Sequence, residues 1–188
     1  MDHQTHFFFA VSIPVETKVI MKKYLEQLNK RIPFSRWVHY EDLHITLAFL
    51  GSAPTEKIKM AEKNVKEIVR GSKPLKLQIQ KLGIFGKEDS PRIFFADTVE
   101  SNELQELRTK VFSACVDAGF KLETRPFRSH ITIARKWKGN EPFQTKFLEI
   151  WNELQLEPLV FEATNIVLFQ THLNETPKYE AKSIILLE

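Results

Sequence analysis

A three-residue word, His-Ile-Thr, occurs twice in this chain, at His44-Ile45-Thr46 and His130-Ile131-Thr132, 86 residues apart. A second word, Phe-Phe-Ala, recurs at the same separation of 86, at Phe8 to Ala10 and Phe94 to Ala96. Two matches in one register, with a strand, helix, strand order repeated between them, indicate a duplicated unit, and duplication constrains a fold more tightly than local propensity does. Apolar stretches at Leu75 to Phe85 and Leu159 to Phe169 extend the correspondence downstream. With 188 residues the chain suits one ordinary domain or two small lobes. We read residues 1–188 as a single bilobal domain with an internal repeat over about 6–85 and 92–170.

Runs rich in Phe, Ile and Val with period-two patterning near 6–12, 43–50, 75–85, 92–99, 129–135, 159–170 and 181–187 predict strands. The clearest helix follows Ser101, with Leu104, Leu107, Val111, Cys115 and Ala118 at helical spacing and Gly119 placed to end it. Another follows Thr55, with Ile58, Ala61, Val65 and Ile68 as its stripe and Gly71 as its stop, while 16–31 and 142–154 supply two more. The predicted fold class is α+β. It has two pseudo-symmetric lobes, each an antiparallel sheet with helices on the outside, and a central cleft between them. Composition agrees: 43% hydrophobic residues and 15 Phe exclude a disordered chain. A net charge of +3 argues against a basic coating protein and leaves a local anion site open. The one cysteine, Cys115, forms no internal disulfide and reads as a small buried apolar residue. No apolar run approaches the ~18–20 residues that cross a bilayer, so no membrane association is expected. Asp2 and His3 stand where a secretory leader carries basic residues, so a cytoplasmic protein is expected.

In a strand, residues i and i+2 share a face, so His44 and Thr46 point one way while Ile45, Leu47 and Phe49 point to the core. His130 and Thr132 repeat the pattern, with Ile131 and Ile133 behind them. A pseudo-axis between these strands builds a cleft with one imidazole and one hydroxyl on each side. Such a cleft suits a phosphodiester hydrolysed in line, because a histidine with a pKa near 6.5 can act as base toward water or as acid toward the leaving oxygen. Two histidines offer too few ligands for a metal, and neither segment adds a carboxylate on the same face, so no metal or cofactor is expected. Glu41 and Asp42 read as turn residues, Ser129 alternates to the wrong face for nucleophilic work, and no Gly-x-Ser-x-Gly elbow or phosphate-cradling Gly-x4-Gly-Lys segment is present. The residues leave two alternatives open: a module that binds RNA ends without turnover, and a phosphodiesterase for a different nucleotide.

The paired segments His44-Ile45-Thr46-Leu47 and His130-Ile131-Thr132-Ile133 resemble the two-histidine phosphoesterase superfamily. Phe8-Phe9-Ala10 with Ile13-Pro14, Arg36-Trp37-Val38, Phe49-Leu50-Gly51, Arg125-Pro126-Phe127 and Ala134-Arg135 look like its RNA 2′,3′-cyclic phosphodiesterase branch, once called 2′-5′ RNA ligases. The likeness covers nearly the whole chain; the departures are Ser129 and Gly86, where that branch usually has proline. The resemblance implies metal-independent opening of an RNA or nucleoside 2′,3′-cyclic phosphate to a 2′-phosphomonoester, and it leaves room for reversible 2′-5′ joining. On the same pattern His44 is the proton donor, His130 the proton acceptor, and Thr46, Thr132 and Arg135 bind the phosphate. Arg135 lies five positions after His130, so regular alternation would turn it away and a bend is required. Phe9, Trp37, Arg36, Arg92, Arg125 and Arg128 are candidates to grip RNA, and His172 reads as a surface or loop histidine. The expected partner is RNA or a nucleotide ending in a cyclic phosphate, with no obligatory protein partner.

Overall fold

A computed structural model of the chain describes residues 5–188; Asp2 and His3, which bear on the reading against a leader, lie outside the described residues. Nine strands and four helices follow in the order β1 (Phe7–Ser12), α1 (Val15–Arg31), β2 (Phe34–Trp37), β3 (His44–Gly51), α2 (Thr55–Ile68), β4 (Leu75–Gly86), β5 (Pro91–Thr98), α3 (Asn102–Asp117), β6 (His130–Trp137), α4 (Ile150–Leu154), β7 (Leu159–Ala163), β8 (Asn165–Thr171) and β9 (Tyr179–Leu186). They form two antiparallel sheets, one ordered β3-β1-β8-β9 and the other β2-β6-β5-β4-β7. The α+β, two-lobed architecture expected from the sequence is present.

The lobes do not coincide with the two halves of the chain. Strand β4, from the first half, pairs with β5 beside the second histidine strand, whereas β8, from the second half, pairs with β1 beside the first. Helices cross over in the same way: α3 packs on α2 and on β3, while α1 packs on β2 and α4. The apolar stretch 159–170, expected as one strand, is divided at Thr164, with β7 joining β4 and β8 joining β1. Ser12 donates its hydroxyl hydrogen bond to Asn165 at 2.6 Å just past this break. The expected helix over 142–154 is shorter, because residues 145–149 wind as a 3-10 turn before α4 begins.

Helix boundaries follow local chemistry. The Ser101 hydroxyl accepts from the Leu104 amide at 3.1 Å and caps α3. Beyond that helix Gly119 takes φ +88°, which lets its amide and that of Phe120 close on Val116 and Cys115. Cys115 lies fully inside this packing and burial pushes its thiol up to about 12, so it is an inert core residue. Among the described residues no helix is long and apolar enough to cross a membrane.

Candidate active site

The two histidines open strands β3 and β6, and these strands pack against each other across the interface of the lobes. Each imidazole is anchored in the same way. His44 Nδ1 lies 2.7 Å from the carbonyl of Asp42, and His130 Nδ1 lies 2.8 Å from the carbonyl of Arg128, in both cases two residues upstream. A carbonyl only accepts, so Nδ1 carries the hydrogen in both rings and Nε2 is the free nitrogen. For His44 that Nε2 meets the Thr46 hydroxyl at 3.0 Å. Aromatic rings fix each imidazole from the sides: Phe8 at 4.8 Å and Tyr179 at 5.2 Å around His44, Phe85 at 5.0 Å and Phe95 at 5.4 Å around His130. The Phe95 ring reaches His130 because its cross-strand neighbour is Gly83, where any side chain would occupy the space of that ring.

A β-bulge in each histidine strand decides what else faces the cleft. On β6, Thr132 opposes Phe95 and Ala134 opposes Phe94, so Ile133 is the extra residue. On β3, Thr46 opposes Ala10 and Ala48 opposes Phe9, so Leu47 is the extra residue. A single insertion shifts the alternation by one. Arg135 thereby returns to the face of His130 and Thr132, which supplies the bend that its odd spacing requires. The same shift corrects the assignment of Phe49 to the core: this ring is 57% exposed and lines the cleft as the counterpart of Arg135.

Cross-strand pairing also revises the repeat. The histidine strands keep the 86-residue offset through their bulges, but by their partners Phe9 corresponds to Phe94 and Ala10 to Phe95, an offset of 85. The matching Phe-Phe-Ala words are therefore one residue out of register with the structural equivalence. Phe8 and Phe95 each face a histidine as a result, from positions that are not equivalent.

The electrostatics join the two sides. Burial lowers the His44 pKa to about 4, with Lys18, His130 and Arg135 adding to the effect against the Asp42 carbonyl. Burial lowers that of His130 too; Arg135 and Arg128 reinforce this and Asp97 opposes it. Burial raises the Tyr179 hydroxyl pKa, and Arg135 acts in the opposite direction. One guanidinium thus acts on both imidazoles and on Tyr179, and among the described residues it forms no ion pair. Asp42, read in the sequence as a turn residue, is buried. Its carboxylate accepts the amides of Lys178 and Tyr179 at 2.9 and 3.1 Å, fastening the β8–β9 connection beside His44.

The other sequence candidates separate clearly. Phe9 is fully buried and cannot touch RNA, and Trp37 is half-buried and packs on Phe34 and Phe94 against the core. Arg92, Arg125 and Arg128 line a cleft of about 710 Å³ that begins at Thr46 and His130. Arg128 is paired with Asp97 at 3.1 Å, and Arg36 opposes Arg135 across β2 and β6. His172 hydrogen-bonds Glu180 at 2.7 Å and is not among the lining residues of that cleft. Ser129 faces Thr98, whose hydroxyl donates to it at 2.7 Å, and not the cleft.

Fold and cleft define a class: bilobal α+β proteins that present one histidine from each lobe to a shared gap. The 2′-5′ RNA ligase superfamily model matches residues 22–175, and the chain belongs to that superfamily. A relative from Bacillus subtilis called RNA 2′,3′-cyclic phosphodiesterase is 35% identical over 180 residues, covering 95% of this chain and 94% of its own length. One of the same name from Geobacillus stearothermophilus is 41% identical over 177 residues; the match covers 94% of this chain, which spans 55% of that relative's length. Among solved structures, E. coli LigT complexed with 3′-AMP shares the fold with a TM-score of 0.77 at 21% identity, over 97% of this chain and 98% of that one. TT0787 of Thermus thermophilus gives 0.73 at 22% identity, over 97% of each chain.

Proposed function

We propose that the chain, acting as one bilobal domain in the cytoplasm, hydrolyses RNA or nucleoside 2′,3′-cyclic phosphate to a 2′-phosphomonoester by paired-histidine acid/base catalysis without a metal. The observation that carries this reading is that two imidazoles, each with Nδ1 held by a backbone carbonyl, and the Arg135 guanidinium, which forms no ion pair among the described residues, act on one another across the packed strands β3 and β6. His130 Nε2 takes a proton from water as the water oxygen bonds to phosphorus. The bond from phosphorus to the 3′ oxygen breaks, and His44 gives that oxygen its Nε2 proton. A 2′-phosphate and a free 3′ hydroxyl result, and solvent exchange returns the proton from His130 to His44. Thr46, Thr132 and Arg135 hold the non-bridging oxygens, where donors aimed at developing charge act most strongly. The names of the Bacillus and Geobacillus relatives support the same reaction.

Each histidine supplies a proton transfer of typically ~10²–10⁴-fold, so His44→Ala and His130→Ala each lower kcat by at least that factor. Phosphorus NMR of an adenosine 2′,3′-cyclic phosphate reaction measures the rate and identifies which oxygen keeps the phosphate. Wild-type turnover in either variant, with the fold intact by circular dichroism, refutes the assignment.

A further inference from the structure

The cleft does not end at the histidines. The cleft that Thr46 and His130 line is also lined by Phe49, by Phe85 and by Arg108 of α3. This arginine is half-buried, and its Nε is enclosed with no hydrogen-bond partner among the described residues. Its guanidinium lies over the rings of Phe112 and Phe127, at 4.2 and 5.5 Å from their centroids, which hold it in place without neutralising it. Glu123, the acidic residue among those lining the cleft, is engaged by Arg125. Burial disfavours the charged form of Arg108, as expected for a partly desolvated cation with no counter-ion among the described residues. Removing a charge from water without a partner is costly, and a fixed guanidinium in a cleft is matched by a phosphate oxygen pair.

We infer that Arg108 forms a second phosphate subsite, which takes the RNA phosphodiester upstream of the cyclic phosphate. This rests on the cyclic phosphodiesterase reading and narrows its substrate from a mononucleotide to the end of an RNA chain. The next anionic group along such a chain is the phosphodiester on the 5′ side of the terminal nucleoside. Phe49, exposed and lining the same cleft as His130 and Arg108, offers its face to a base. A cleft of about 710 Å³ lies within the range that encloses ligands of this size.

The test compares adenosine 2′,3′-cyclic phosphate with the dinucleotide ApA ending in the same group, in wild type and in Arg108→Met, which keeps the packing stem over Phe112. The wild type should favour the dinucleotide by about tenfold in kcat/KM, near 1.4 kcal/mol. Arg108→Met should remove that preference while changing mononucleotide hydrolysis less than twofold. Equal kcat/KM for both substrates in the wild type, or equal losses on both in the variant, overturns the subsite. Binding of the 2′-phosphate products provides a readout that needs neither turnover nor the variant. For the wild type, log Kd of the dinucleotide should depend on log salt more steeply than that of the mononucleotide, by about 0.7 for one further phosphate. Identical slopes overturn the proposal. Absence of hydrolysis with the steeper slope retained overturns the catalytic reading instead.

Discussion

His44 carries the sharpest tension at the residue scale, because a proton donor must be charged and this imidazole is held neutral in the unliganded protein down to about pH 4. Burial and the positive charges of Lys18 and Arg135 disfavour its proton, and a phosphate anion bound beside the ring acts the other way, favouring the charged imidazole. The free pair therefore holds its single shared proton only on the acid side of the ordinary histidine value, since burial lowers both rings. It follows that kcat/KM, which reports the free enzyme, peaks below about pH 6.5, whereas kcat, which reports the complex, peaks at higher pH. Initial rates across pH 4–9, paired with NMR titration of His44 with and without inorganic phosphate, check both statements. A kcat/KM maximum at pH 8, or a His44 pKa that phosphate leaves unmoved, contradicts this account of the acid.

At the scale of elements, the bulges at Leu47 and Ile133 and the Asp42 tie convert ordinary sheet strands into a site. The histidine and threonine positions needed only alternation, so they could be read directly from the residues. Arg135 and Phe49 could not, because a bulge is set by pairing with another strand, and one inserted residue inverts the assignments that follow it up to the next irregularity. Asp42 was equally opaque: its carboxylate partners, the amides of Lys178 and Tyr179, lie 136 and 137 residues away. Hydrogen bonds to a buried charged group are each worth about 1.5–3 kcal/mol. We expect Asp42→Ala to free the β8–β9 connection, with amide exchange at Lys178 and Tyr179 faster by at least tenfold, and Asp42→Asn to recover part of that protection. Unchanged protection in Asp42→Ala would show that the tie contributes nothing to docking.

Over the whole molecule, the exchange of β4 and β8 means that each sheet draws strands from both halves of the chain. Leu75, Leu77 and Ile79 of β4 are buried in the lobe of the second histidine, and Ile166 and Leu168 of β8 in the lobe of the first. Neither half can bury these faces alone, and three or more strands with a covered apolar face are needed for independent stability. Fragments 1–88 and 89–188 should each be unfolded by circular dichroism, and mixing them should restore structure and turnover. Calorimetry of the intact chain should give one transition with equal van't Hoff and calorimetric enthalpies. A folded isolated half, or two separate transitions, refutes the exchange as the source of unity.

The sequence by itself determined that two copies of a histidine-bearing strand exist, that each presents a histidine and a threonine on one face, and that the class is α+β. These properties depend on local alternation and on repetition, both of which are written in consecutive residues. Tertiary structure alone decided which strand joins which sheet, where the bulges fall, and that Phe9 is core while Phe49 and Arg108 line the cleft. It also showed that the Phe-Phe-Ala match is one residue out of step with the pairing. The physical reason is range: hydrogen-bond register and burial are settled between segments distant in the chain, through the apolar area they remove from water together.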